Sequence, residues 1–319
     1  MMLETNFVRS RWNEAFGAAV VAGLALPRKA IAPCWLYDER GSQLFEQITR
    51  LDDYYLTRAE TEILQRHAGE IARFCGEEAL LFEYGAGAGL KTEILIDALD
   101  RPRLYVPIDI AGDFLARTAG RIGKRFPDLD VLPIVADFNH DFDLPELPPG
   151  RRTAFFPGST IGNLNHAEAA AFLRRLRRQV GKQGKAIIGV DLKKDIGRLI
   201  DAYNDREGVT AAFNLNLLAR INRELDGAFP LDRFAHDARW NAGESAIEMH
   251  LVSLDERRVA VCGELFPFQS GETIHTESSR KYDLDMFAIL AESTGWRATK
   301  VWMDGDRQFA VFGLETGFA

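Results

Sequence analysis

From Ala79 onward, short apolar runs alternate with segments whose apolar residues recur every three or four positions. The runs are 79–84, 103–108, 131–135, 152–156 and 185–190; the helically spaced segments between them are 91–99, 114–125 and 166–180. Strands separated by amphipathic helices need crossover connections, which are right-handed and give parallel pairing. The pattern predicts an α/β fold with a parallel sheet covered by helices on both faces. Upstream, residues 10–75 read as helices and loops. Within them LTRAETEILQRHAGEIARFC (56–75) carries helical spacing, and Thr57 with Glu60 reads as a capping box at its start.

After Asp195 the rhythm breaks. IGRLIDAYND and VTAAFNLNLLARINREL, between 196 and 225, are helical; 236–277 reads as strands, with 246–254 and 258–266 as an antiparallel pair. The tail gives a helix at 283–294, a strand at 297–303, a tight turn at Asp304–Asp306 and a strand at 307–314. Helix, strand, tight turn, strand after five parallel strands predicts a sheet closed by an antiparallel strand pair. Residues 196–282 are then an insertion after the fifth strand. The expected second domain joins residues 1–60 to this insertion, over the strand ends where ligands of open α/β sheets bind. Residues 61–195 and 283–319 form the sheet domain.

The composition narrows the function classes. Of 319 residues, 46% are hydrophobic and 27% charged, which is globular rather than disordered. A net charge of −8 argues against nucleic acid as a partner. The cluster Arg174, Arg175, Arg177 and Arg178 reads as a solvated helix face. Cys34, Cys75 and Cys262 are far apart, and with six scattered histidines they give no metal-ligand spacing; no metal is expected. The start, MMLETNFVRSRWNEAF, lacks the apolar run of a signal peptide, and no segment is apolar enough to span a membrane. A cytoplasmic, monomeric protein with no membrane or nucleic-acid partner is expected.

Four motifs carry chemistry. In LLFEYGAGAGLKT (80–92), Gly85, Gly87 and Gly89 follow a strand and open a helix, where backbone can approach a ligand and free N–H groups are available. In VPIDI (106–110), Asp109 ends the second strand and can accept from both ribose hydroxyls of a nucleoside. These two also fit a dinucleotide-dependent oxidoreductase. In VADFN (135–139), Asp137 can accept from an adenine amino group while the Phe138 N–H donates to the ring. This position and the closing strand pair favour S-adenosylmethionine over a dinucleotide. In FFPGSTIGNL (155–164), small and polar residues stand where the reacting group belongs, and the Pro-Pro-aromatic stretch of enzymes that methylate a flipped base is missing.

Read together, these motifs resemble the histidine-specific N-α-methyltransferases of ergothioneine biosynthesis. The resemblance runs from WLYDERGSQLFEQITRLDDYYLTRAE (35–60) to the C-terminus through GSTIGNL, AYND, GVTAAFN and NRELD, and leaves about the first thirty residues unconstrained. It implies a Rossmann-like class I methyltransferase sheet with a second, substrate-binding domain. It implies S-adenosylmethionine as methyl donor, L-histidine as substrate and hercynine, the trimethylammonium betaine of histidine, as product. On the cofactor side it implies Tyr37, Gly85, Lys91, Asp109, Asp137 and Phe138. On the histidine side it implies Tyr54, Gly158, Asn163, Tyr203, Met249, Glu277 and Ser279. Tyr37, Tyr54 and Asn163 are the residues expected to act on the reacting amine and its carboxylate. Where the family's glycine loop carries Ser or Thr, this chain has Ala86, Ala88 and Gly89. Relatives that methylate tryptophan share the scaffold, so another amino acid or small amine is the alternative substrate.

Overall fold

The structure is a computed structural model that describes residues 14–317. MMLETNFVRSRWN, the first part of the segment read above as lacking a leader, lies outside the described residues. In chain order the elements begin with α1 (14–24), a 3-10 turn at Pro33–Leu36, α2 (Glu39–Ile48), α3 (Tyr55–Arg66) and α4 (Ala68–Cys75). Next come β1 (Leu80–Tyr84), α5 (Leu90–Ala98), β2 (Leu104–Asp109), α6 (Gly112–Arg125), β3 (Asp130–Val131), β4 (Ile134–Val135), β5 (Arg152–Phe156), α7 (His166–Val180) and β6 (Lys185–Asp191). Then follow α8 (Ile196–Asp201), α9 (Val209–Glu224), β7 (Phe234–Asn241), β8 (Ala246–Ser253), β9 (Arg257–Val261), β10 (Glu264–Phe268), β11 (Thr273–Arg280), α10 (Leu284–Ser293), β12 (Trp296–Met303) and β13 (Phe309–Thr316). No helix among the described residues is long and apolar enough to cross a membrane.

The chain divides into two compact units. One comprises Tyr55–Asp195, Gly243–Ala246 and the chain from Ser279 onward. Its sheet runs β12-β13-β6-β5-β1-β2-β3, with β4 also on β2. β1 pairs in parallel with β2 and β5, and β5 with β6. β13 is antiparallel to both β6 and β12, which is the predicted closing pair. Every residue of β1 is buried, as a central strand covered on both faces requires. Its ring core packs Phe156 against Phe172 at a tilt of 40°, with Phe138 edge-on to both. The α7 boundary is set by chemistry: Asn165 and Glu168 form a reciprocal capping box, and Gly181 follows the last turn.

Three expectations in this unit are corrected. The run 131–135 is not one strand: Pro133 has no N–H to give the ladder, so β3 and β4 each pair with β2 over two residues. The stretch 56–75 is helical as expected, in two helices that part at His67. Thr57 lies inside the first turn of α3, and Glu60 is fully buried with its carboxylate engaged elsewhere, so the capping box does not form. Arg175 is not part of a solvated face either. It donates to the Phe138 and Asn139 carbonyls and pairs with Asp141.

The other unit comprises residues up to Tyr54 with Ile196–Ala242 and Ile247–Ser278. Its three-stranded sheet runs β11-β8-β7. β9 and β10 pair antiparallel with each other, so 246–254 does not pair with 258–266 as expected. The run 258–266 folds back on itself at Cys262 and Gly263, whose φ values of 51° and 79° make the doubly left-handed turn that joins tightly twisted strands. α1 buries Phe16, Val20 and Leu24 on one face, and Ala30 bridges to His275.

Candidate active site

The glycine loop joins β1 to α5. Gly85, Gly87 and Gly89 all have positive φ, at 74°, 48° and 66°. A Cβ on Gly87 would meet nothing nearer than the Gly85 carbonyl oxygen at 3.9 Å, so backbone conformation, not crowding, selects glycine there and leaves the loop open to a ligand. A Cβ on Gly89 would stand 2.9 Å from Thr118 Cγ2 and 3.1 Å from Ile122 Cδ1, so this glycine serves the close packing of α5 on α6. Asp109, at the end of β2, accepts from the Gly87 N–H at 3.1 Å and the Ala111 N–H at 3.0 Å. Burial raises its pKa, and these backbone donors oppose the rise. A glycine turn at a helix start beside an acidic strand end fits the nucleoside and methionine portions of S-adenosylmethionine.

Lys91, in the first turn of α5, is not an exposed helix residue. It forms an ion pair with Glu60 of α3, whose Oε2 also accepts from the Gly158 N–H at 2.8 Å. A Cβ on Gly158 would lie 3.7 Å from Lys91 Nζ. Glu60 therefore brings the cofactor-side lysine and the turn after β5 together. Its other oxygen leaves no room for a side chain on β6: a Cβ on Gly189 would stand 2.1 Å from Glu60 Oε1. Glu60 is not expected in this role from the sequence, because its spacing from Thr57 has a simpler helical meaning.

Asp137 and Phe138 follow β4. Asp137 accepts from the Asn139 N–H at 2.9 Å and lies 2.8 Å from His140 Nδ1. Each carboxylate oxygen retains a second lone pair for a ligand. The Phe138 ring belongs to the core, so only its backbone N–H and edge are available to a cofactor. In the GSTIGN turn, Gly158 and Ser159 have φ values of 79° and 56°, and Asn163, half-buried, ends the 3-10 turn Thr160–Asn163. Ser279, buried near the end of β11, accepts a hydrogen bond from Lys281 Nζ at 2.8 Å.

In the other unit five rings form a chain of edge contacts. Tyr37 meets Phe45 and Phe213 with centroids at 5.5 and 5.4 Å, and Tyr54 meets Phe45 and Tyr203 at 6.3 and 6.1 Å. The YDERG motif fixes Tyr37. Asp38 caps α2 by accepting from the Gly41 N–H, and Asn216 and Arg223 of α9 both donate to it. Tyr203 follows α8, and its carbonyl lies 2.8 Å from His236 Nε2. Met249 is buried on β8, and its carbonyl accepts from Thr276 Oγ1 on β11 at 3.0 Å. Glu277 is buried within β11 and is not on a surface loop.

Strand order, glycine turn and acidic strand ends define a Rossmann-like S-adenosylmethionine-dependent methyltransferase. A family model described as histidine-specific methyltransferase, SAM-dependent, matches residues 16–316, and the chain belongs to that family. It is 41% identical over 305 residues to the histidine N-alpha-methyltransferase of Mycolicibacterium smegmatis, covering 93% of this chain and 94% of the relative. To the histidine N-alpha-methyltransferase of Mycobacterium tuberculosis it is 40% identical over 299 residues, 92% of each chain. To ergothioneine biosynthesis protein 1 of Neurospora crassa it is 32% identical over 277 residues, 85% of this chain and 31% of that longer protein.

Proposed function

We propose that the protein transfers three methyl groups from S-adenosylmethionine to the α-amine of L-histidine, giving hercynine, the first step of ergothioneine biosynthesis. The observation that carries this reading is family membership across nearly the whole chain, with Tyr54, Gly158, Asn163, Tyr203, Met249, Glu277 and Ser279 at the histidine-side positions. S-adenosylmethionine, when bound, supplies a methyl group already activated by its sulfonium. Tyr37, Gly85, Lys91, Asp109, Asp137 and the Phe138 N–H hold it.

Asn163 and Tyr203 hold the substrate α-carboxylate, and the Tyr37 or Tyr54 hydroxyl orients the amine. Glu277 and Ser279 hold the imidazole, with Met249 shaping the space around it. The chain's contribution is alignment: a neutral amine held in line with a methyl and its leaving group has most of the entropic cost removed beforehand. The last transfer acts on a tertiary amine with a lone pair and no proton to lose, so it needs only room, which Gly158 and Ser159 leave. Mass spectrometry after incubation with S-adenosylmethionine and a mixture of the common amino acids tests the reading. Trimethylated histidine is the expected end product. Accumulation of monomethylhistidine with donor in excess, or methylation of a different amino acid in its place, rejects it.

A further inference from the structure

The end of β6 holds a buried charge cluster that the reading above leaves unused. Asp191, the last residue of β6, is fully buried. Lys281 Nζ lies 2.7 Å from its Oδ2 and Lys194 Nζ 2.5 Å from its Oδ1. The Tyr55 hydroxyl donates to the same carboxylate at 2.8 Å and itself accepts from Lys194 at 2.6 Å. Burial alone would raise the Asp191 pKa, but the two facing ammoniums pull it below the ordinary carboxylate value. Lys281, in turn, is fully buried and also donates to Ser279 Oγ at 2.8 Å.

The direction of that bond has a chemical consequence. An ammonium has three protons and no lone pair, so towards Lys281 the serine oxygen can only accept. A hydroxyl has one proton, and that proton must then point away from Lys281. Lys194 and Tyr55 already give Asp191 a cation and a hydroxyl donor. The second lysine, buried to zero exposure, is therefore more than charge balance requires.

We propose that Lys281 is a positioning residue for substrate recognition: by donating to Ser279 Oγ it fixes the serine hydroxyl as a donor, so that the site reads the lone pair on the unprotonated nitrogen of a neutral azole side chain. This rests on the placement of Ser279 against the imidazole made above. Histidine offers such a nitrogen and an N–H in one small ring. A ring of the same size without a basic nitrogen leaves the fixed donor unmatched, and a buried unmatched polar group discriminates strongly.

The test compares dissociation constants for L-histidine and for β-(2-thienyl)-L-alanine, whose five-membered ring has no acceptor nitrogen. They are measured by titration calorimetry in the presence of S-adenosylhomocysteine. Ser279→Ala should reduce the preference for histidine by about tenfold, the factor typical of one lost hydrogen bond. Lys281→Met should reduce it by a similar factor, Lys281→Arg should restore most of it, and Lys281→Met added to Ser279→Ala should change it no further. Should Lys281→Met not fold, Lys281→Leu, which likewise cannot donate and leaves the Asp191–Lys194 pair in place, serves instead. Equal weakening of both ligands in the lysine variant, or an effect that adds in full to that of Ser279→Ala, overturns the proposal and leaves the lysine a structural ion-pair partner. An unchanged preference in Ser279→Ala alone instead overturns the placement of Ser279, and this inference with it.

Discussion

Glu60 and Lys91 form an ion pair in which the glutamate side chain is fully buried and the lysine side chain keeps 18% of its surface exposed. That asymmetry decides which partner is more costly to remove. Lys91→Met strands a buried carboxylate on a single backbone donor at Gly158, and breaking a buried pair in this way costs about 3–5 kcal/mol. Glu60→Gln leaves a lysine that can turn to water and keeps a side-chain oxygen for the Gly158 N–H. Urea unfolding of the two variants should therefore rank Lys91→Met as the less stable. Both should also raise the KM for S-adenosylmethionine, since both disturb the ammonium beside the glycine loop. Equal stabilities would show that the buried carboxylate is not relying on Lys91.

Asp109 should carry cofactor affinity. Asp109→Ala removes an acceptor for two ribose hydroxyls and also the partner of the Gly87 N–H. A loss of ~1.5–3 kcal/mol in S-adenosylhomocysteine binding is expected, the scale of hydrogen bonds to a charged group. Titration calorimetry showing wild-type affinity would remove the residue from the cofactor site.

Glu83 gives the sheet unit a pH dependence. It lies within β1, fully enclosed, and accepts from the Thr92 hydroxyl at 2.5 Å and from the Tyr105 hydroxyl. Burial pushes its pKa up from 4.5 to about 8, against these hydrogen bonds and the Lys91 charge. Between those two values the folded chain holds a proton that the unfolded chain has released. Stability should therefore fall as pH rises through that window, by up to ~1.4 kcal/mol per pH unit from this one group. Glu83→Gln keeps the neutral shape and should flatten this part of the profile. Parallel profiles for wild type and variant in thermal unfolding would show that Glu83 is already ionised in the fold.

Much of the fold is legible in the sequence wherever one local rule acts alone. The runs of β1, β5 and β6 are predominantly apolar and almost wholly buried because both sheet faces are covered, and α7 is bounded by its own capping box and by Gly181. Legibility fails where two readings share the same residues. Val131 to Val135 is apolar enough for a strand, and only the missing N–H of Pro133 splits it. The run 258–266 looks like one strand because Cys262 is not a residue that announces a left-handed turn. In the site, the glycine loop, Asp109 and the GSTIGN turn could be read because their chemistry sits within a few neighbouring positions. Glu60, Asp191, Lys194 and Lys281 could not: Glu60 meets Lys91, and Asp191 meets Lys281 and Tyr55, across long stretches of sequence, while Lys194, three residues from Asp191, looks solvated until the fold buries both.

Histidine selectivity should reside mainly in Glu277, with Met249 shaping the pocket. Both are buried, on β11 and β8, which are neighbours in one sheet. Imidazole combines a small ring with a strong N–H donor. A carboxylate opposite that donor favours histidine and leaves a desolvated, unmatched charge facing leucine or phenylalanine. A site built to hydrogen-bond its substrate rejects analogues lacking the partner far better than an apolar slot does. Glu277→Ala should weaken histidine turnover by ~2–4 kcal/mol in transition-state terms, the scale of a lost charge-assisted bond plus desolvation. Adding Met249→Val enlarges the space and leaves it neutral, which suits an indole that needs volume more than an anion. The double variant should gain activity on tryptophan while losing it on histidine. Competition kinetics with the two amino acids measure this directly as a ratio of kcat/KM values. A ratio unchanged from wild type would leave the cofactor side standing and reject this account of the substrate pocket, since neither lost charge nor added volume would then have reached the ring being recognised.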